Sequence, residues 1–418
     1  MNALRTLVLL AVTFIGGTAQ AQETECDDAR GCVVIGPDEP VTIGYMLVTS
    51  GAVAFPGEDS LGGIELALDA RGNKLLGREI ELLGEDSLCT PEGGQTAAEN
   101  LVADEQVQGV IGTSCSSAAV AALPIISRAG YVMISPSNTT PGLTEEKREI
   151  GGVWQPGYFR TSQNDLLPGE VTAQFAIEEL GARTLATIHD GSVYAENLQR
   201  VMAERFVEGG GELLYAGSIN VGDTDMTAIL TEIAAVQPDI LYFPIFEPEG
   251  SFIAAQVSSI VGLEEIQLMS AGGLMVASFP FNSGEGALGM LLSGPAVAGN
   301  DYRAFLAAWV ETFGSSPPGS CHAHAFDATN ILLDAIKAVA DEKSSGDVLI
   351  GRTRLRDVIT ATVGFEGITG SLQCSPTGDC ATGEAIGVFE IGEDEVNEGH
   401  CPPKLIWTPA TGLLAENM

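Results

Sequence analysis

Three serines, a threonine and a cysteine crowd one corner of this sequence. The run Gly112-Thr113-Ser114-Cys115-Ser116-Ser117 stands between an apolar stretch of β type and an alanine-rich helical pattern. A helix opening at Ser116 offers backbone N–H groups that have no partner inside the helix, together with the positive end of its dipole. The Ser116 and Ser117 hydroxyls add donors. A second corner, Ser135-Pro136-Ser137-Asn138-Thr139-Thr140, ends the next strand with more hydroxyls. Either corner alone is ordinary N-capping, for which Ser and Thr are favoured. Two at consecutive strand ends suit a carboxylate held without Arg or Lys.

The same run is a near miss to the G-x-S-x-G nucleophile elbow, with Ser116 standing where the last glycine belongs. A base for Ser114 would have to come from His189, His322, His324 or His400, oriented by Asp190 or Asp327, and none stands in a hydrolase order. A Cys115/His pair competes with oxidation of the cysteine. His322 and His324, two apart at the start of a helical pattern, point to different helix faces and make a poor chelate. With four histidines and no C-x2-C, neither a metal cluster nor any other cofactor is expected. The corner is therefore read as a site of capture, with an exported serine hydrolase as the rival.

Positioning such corners takes strands and helices in alternation, and the chain supplies them. Val41–Val48, 78–84, 107–112 and 131–135 read as strands, separated by helical patterns at 62–71, 94–104 and 116–128. The alternation restarts at 184–189 and runs through strands at 213–219, 240–246 and 267–270. A block at 302–358 looks mainly helical, and 385–391 and 404–408 look like closing strands. Short Val- and Ile-rich runs between amphipathic helices indicate parallel sheets covered on both faces. The fold expected is α/β, two doubly wound parallel-sheet lobes joined by a multi-strand hinge. Crossovers fall near Tyr158-Phe159-Arg160-Thr161, near Leu292-Ser293-Gly294-Pro295 and before Gly387. The division is 1–21 as a signal peptide, 22–40 as an acidic leader, 41–161 plus 294–384 as the first lobe, and 162–293 plus 385–410 as the second. Ligands of open α/β sheets sit outside the carboxyl ends of the strands, and in a clamshell both sets of ends face one cleft.

The bulk numbers bound the partners. The 418 residues carry 19 Lys+Arg against 56 Asp+Glu, a formal charge of -37. Nucleic acid needs clustered cations, so it is excluded as a partner, and anionic membrane surfaces are disfavoured. Arg5, the apolar run 6–15 and Ala19-Gln20-Ala21 form an export signal. Export to the periplasm or beyond permits disulfides. The eight cysteines, an even count that in an exported chain favours pairing of them all, allow 105 connectivities; Cys26/Cys32 and Cys374/Cys380 enclose short local loops, leaving Cys89, Cys115, Cys321 and Cys401 to complete the set of disulfides.

Several stretches carry a resemblance. Ser50 to Asp69 (SGAVAFPGEDSLGGIELALD), Val110 to Thr144, Tyr158 to Ser162 (YFRTS), Ile188 to Leu198 and Asp239 to Gly250 are similar to the type I periplasmic solute-binding proteins of ABC transporters, in the leucine/isoleucine/valine-binding family. The resemblance implies that Ser116, directly after a cysteine bridged as Cys89–Cys115, binds a ligand carboxylate. Ser137 and Thr139 would add contacts, Tyr194 and Phe246 would close from the second lobe, Phe326 would add an aromatic wall, and Phe55 would border the side-chain pocket. The partners implied are a small-molecule ligand and membrane permease subunits, with the binding protein a monomer; a ligand-sensing role on the same fold is the alternative. One departure matters. Gly272 stands where the family's ammonium-binding glutamate is expected, with Glu247 as a possible substitute, so the ligand is an α-amino acid or a carboxylate or amide without an ammonium group.

Overall fold

The computed structural model describes residues 25–381, 386–399 and 401–414. The export signal read at 1–21 and His400 lie outside the described residues. The first sheet has six strands in the order Lys74–Leu75, Arg78–Asp86, Val41–Leu47, Val107–Gly112, Met133–Ser135, Tyr158–Arg160. The last five run parallel, and Val107–Gly112 is buried at every position, which is why it reads as an unbroken apolar run. The second sheet has eight strands. Five parallel ones, from Glu212–Ser218 to Leu291–Pro295, meet an antiparallel edge of Ile386–Glu390, Lys404–Thr408 and Gly412–Leu413.

Both sheets change direction at a definite place. In the first, Val41–Leu47 lies between Arg78–Asp86 and Val107–Gly112; in the second, Thr184–His189 lies between Glu212–Ser218 and Ile240–Tyr242. Connections leave on opposite sides there and open a crevice at the strand ends. The Ser114 corner sits in the first crevice, and the segment Phe243–Phe246 in the second. The chain passes between the sheets after Tyr158–Arg160 and again after Leu291–Pro295.

Several elements differ from the sequence reading; the strand read at 240–246 ends at Tyr242, and a helix at Leu166–Glu178 was not read. The first helix spans Phe55–Asp69, starting seven residues earlier than its pattern suggests. Gly57, Gly62 and Gly63 weaken the local signal, but they are there for packing: a Cβ on Gly57 would lie 1.7 Å from the Val48 carbonyl oxygen. The acidic leader is part of the fold, because Cys32–Ile35 pairs antiparallel with Val348–Gly351 and buries Val33 and Ile35 in the first lobe's core. Within the third block, Ala340–Glu342 and Val348–Gly351 are strands between the helices His322–Val339 and Arg352–Thr360.

Three disulfides form: Cys26–Cys32, Cys89–Cys115 and Cys374–Cys380. Cys321 and Cys401, which the sequence reading placed among bridged cysteines, are thiols. The Cys401 Sγ instead donates to the Met275 carbonyl at 3.1 Å. Cys89–Cys115 ties the approach to the helix Pro91–Ala103 to the N-cap of Ser116–Arg128, two helices that pack side by side. It closes a loop 26 residues long in sequence separation, worth about 3.5 kcal/mol in the chain-entropy description. The Cys89→Ala/Cys115→Ala variant is expected to lose about 2–4 kcal/mol in urea unfolding, and an unchanged midpoint would show that the bridge does not support this lobe.

Candidate functional site: a cleft between the lobes

Gly112 ends its strand with φ +140°, a backbone region side chains avoid, and a Cβ there would meet the Met46 carbonyl oxygen at 2.2 Å. This close approach lets the next residues turn against the neighbouring strand. Ser114 Oγ accepts from the Val48 N–H at 3.1 Å. The Ser114 hydroxyl is thus engaged just past the end of the strand Val41–Leu47. Cys115 is the N-cap, and the helix Ser116–Arg128 begins directly behind it.

The second corner is sewn to the first. Ser135 Oγ donates to the Thr113 carbonyl at 2.9 Å and accepts from the Asn138 N–H at 2.9 Å. Ser137 Oγ donates to the Ser114 carbonyl at 2.9 Å, and the Thr140 N–H points at Ser116 Oγ across 3.4 Å. The hydroxyls are therefore not equivalent. Ser137 has committed its proton, and so has Thr139, whose Oγ1 donates to Asp165 at 2.9 Å. Ser116 accepts and keeps its own proton to donate, beside the helix N–H groups.

The second lobe closes the far side. Ser192 caps the helix Val193–Glu208 by accepting from the Ala195 N–H at 3.2 Å. That places Tyr194 in the first turn, with its ring 5.1 Å from Phe246 and its Oη accepting from the Gly273 N–H at 3.2 Å. Phe55, at the tip of the first lobe's first helix, stands 6.5 Å from Phe246, so one aromatic wall draws on both lobes. Bonds across the mouth join the lobes directly, among them the Val193 N–H to Ser117 Oγ at 3.2 Å and Thr140 Oγ1 to the Val193 carbonyl at 3.4 Å. The space enclosed is about 770 Å3, its open mouth included.

Ser116, Ser137, Thr139, Tyr194, Phe246 and Phe55 all line this cleft. Phe326 does not. It packs edge-on against Phe305 at 5.3 Å in a small cluster with Leu66 and Trp309, because it faces the helix Asn300–Phe313 and not the second lobe. The wall nearby is made by Gly319, Ser320, Cys321 and His324. The first of these are held by buried Asp59, which accepts from the N–H groups of Gly319 at 3.0 Å, Cys321 at 2.6 Å and His322 at 2.7 Å. His322 Nδ1 also donates to Asp59, at 3.0 Å, leaving Nε2 for the Tyr302 hydroxyl at 2.8 Å. This is a structural role for His322. Glu247 is not among the described residues lining the cleft; its carboxylate accepts from Ser251 at 2.8 Å, Asn282 at 2.8 Å and Ser278. Gly272 lines the cleft, and a Cβ there would meet nothing within 4 Å.

The sequence reading missed Gln163 and Asp165, which follow the first crossover. Gln163 Oε1 is buried without a hydrogen bond among the described residues. Asp165 is fully buried. Burial pushes its carboxyl up to about 7, against the opposing pull of the Thr139 hydroxyl and the Arg160 charge. No Lys or Arg is among the described residues lining the cleft. The signal in sequence was faint: an acid just before a helix reads as a cap, although the Asp165 side chain makes no cap bond.

Residues 40–388 match the family model for periplasmic binding proteins. The chain belongs to that family. It is similar to the Leu/Ile/Val-binding protein of Escherichia coli K12, 26% identical over 260 residues, covering 62% of this chain and 68% of that protein. The leucine-specific-binding protein of Salmonella typhimurium is 29% identical over 292 residues, 68% of this chain and 73% of that one. Two solved structures share the fold. A leucine binding protein from Thermotoga maritima has a TM-score of 0.74 at 24% identity, over 84% of this chain and 96% of that one. A solute binding protein from R. palustris in complex with benzoate has a TM-score of 0.74 at 22% identity, over 90% and 98%.

Asp165 makes the stability of this binding protein depend on pH. In the folded state its carboxyl holds a proton to about pH 7, against an ordinary value of 3.8. Between roughly pH 4 and pH 7 the unfolded chain has shed that proton and the folded chain has not, so stability falls as pH rises through the window. Asp165→Asn removes the effect. The variant is expected to match the parent near pH 4 and to exceed it by about 4 kcal/mol at pH 8, read from denaturant midpoints. An identical difference at both pH values would contradict the assignment.

Proposed function

We propose that this binding protein captures a small amino acid, or a related carboxylate or amide, between its lobes and delivers it to the permease subunits of an ABC importer. The observation that carries the reading is the junction of two hydroxyl-bearing strand ends on the floor of an interlobe cavity. Ser116 keeps a proton to donate there, next to the N-terminus of a thirteen-residue helix. A carboxylate docked at that point meets a hydroxyl and free N–H groups, and needs no cationic side chain. Phe55, Tyr194 and Phe246 take the apolar part of the ligand. Nothing is turned over. Ligand binding favours the closed arrangement through the contacts that only the closed lobes supply. The protein acts as a monomer outside the cytoplasm, and its acidic surface has no use for nucleic acid.

Micromolar capture requires about 8 kcal/mol. Two or three charge-assisted hydrogen bonds at roughly 1.5–3 kcal/mol each, with apolar burial, reach that figure. Mass spectrometry of co-purifying solute, followed by calorimetry with leucine, isoleucine and benzoate, identifies the class. Ser116→Ala is expected to weaken the ligand so found by 10- to 100-fold without changing the melting temperature of the ligand-free protein. Undiminished affinity in that variant would move the carboxylate site elsewhere, and turnover of the bound solute would overturn the reading.

A further inference from the structure

Six cysteines are joined in three bridges, each joining two cysteines of the first lobe. The remaining two stand on opposite lobes. Cys321 precedes the helix His322–Val339 in the first lobe and lines the cleft. Cys401 follows the helix Glu393–Glu398 in the second lobe. Its thiol rests on the carbonyl of Met275, and Met275 lines the same cleft. Both cysteines are partly exposed.

The two positions are linked by a shared neighbour. Asp59 accepts the Cys321 N–H at 2.6 Å. Burial and then the charges of Asp59 and Cys321 push the Cys401 thiol well above the ordinary value. The Tyr302 hydroxyl, bonded to His322 beside Cys321, is raised by burial first and then by Asp59 and Cys401. The Cys401 thiol on Met275 and the Asp59, His322 and Tyr302 network that holds Cys321 flank one cleft from opposite lobes.

We propose that Cys321 and Cys401 are an oxidisable dithiol site whose disulfide staples the two lobes across the rim of the cleft and holds it shut. The oxidant is a disulfide of the extracytoplasmic space, in a dithiol oxidase or in oxidised glutathione. A thiolate of the pair attacks that disulfide and forms a mixed disulfide, releasing one thiol. The second cysteine then displaces the other donor sulfur and closes Cys321–Cys401. Two thiols lose two protons and two electrons, and the donor disulfide becomes two thiols. The bond does not depend on the capture reading, whereas its consequence, slow ligand exchange, rests on it.

The test uses the ligand-free protein with its three bridges intact, incubated with oxidised glutathione. Non-reducing peptide mass spectrometry is expected to show a peptide pair joined through Cys321 and Cys401, two hydrogens lighter than its parts. Amide hydrogen exchange around 114–117 and 191–195 is expected to slow at least tenfold on oxidation, and to be unmoved by the same treatment in Cys321→Ser and Cys401→Ser. Recovery of both cysteines as separately alkylated thiols, or a joined pair with unaltered exchange, overturns the proposal. No ligand enters this measurement, so its failure leaves the capture reading to calorimetry.

Discussion

The cleft is organised around one buried cation that never enters it. Arg160 has no exposed surface, and its guanidinium donates to the carbonyls of Asn138 at 3.3 Å and Thr140 at 2.8 Å and to Thr144 Oγ1 at 2.7 Å, while pairing with Asp379. Those acceptors frame the loop that presents Ser137 and Thr139. Arg160 belongs to the last strand before the chain leaves for the second lobe, so one side chain braces both the loop that carries Ser137 and Thr139 and the root of that crossover. A buried guanidinium is tolerable only when most of its donors are used, and the planar fork reaches several acceptors as an ammonium would not. Asp379 is delivered by the short loop closed by Cys374–Cys380, whose backbone also bonds Arg160, from the Arg160 N–H to Gly378 at 2.9 Å and from the Cys380 N–H to Arg160 at 3.0 Å.

With that charge turned away, the cleft's own electrostatics come from dipoles and a single acid. Hydroxyls and a helix N-terminus supply the positive side, and Asp165 turns negative only as it loses its proton near pH 7. Burial outweighs the Arg160 field at Asp165, which is why the carboxyl holds its proton near neutral pH. The Thr139 hydroxyl is occupied by Asp165. A ligand that uses Thr139 must therefore rearrange or replace that bond, while Ser116 is ready as it stands.

Much of this was legible along the chain. The alternation of Val- and Ile-rich runs with helical patterns exposed the parallel sheets, because strands buried on both faces keep no polar alternation. The two corners were visible as hydroxyl clusters at strand ends, and the export context announced the disulfides. The strand Cys32–Ile35 was hidden, since its acidic surroundings mask four residues whose partner lies more than 300 positions away. The helix Phe55–Asp69 was shortened by its glycines, whose purpose appears only when Val48 is seen against Gly57. Phe326 was misplaced because helix phase decides which neighbour an aromatic faces, and Phe305 claims it.

The sequence alone determined the class of fold, the two corners and their hydroxyl chemistry, because each rests on local order: periodicity, caps, and residue types at strand ends. Tertiary structure decided which hydroxyls are free, that Glu247 is engaged by Ser251, Ser278 and Asn282, that Asp165 is buried in the cleft, and that Cys321 and Cys401 stay out of the three bridges. Those outcomes depend on which distant groups share a low-dielectric space, and adjacency along the chain carries no record of that.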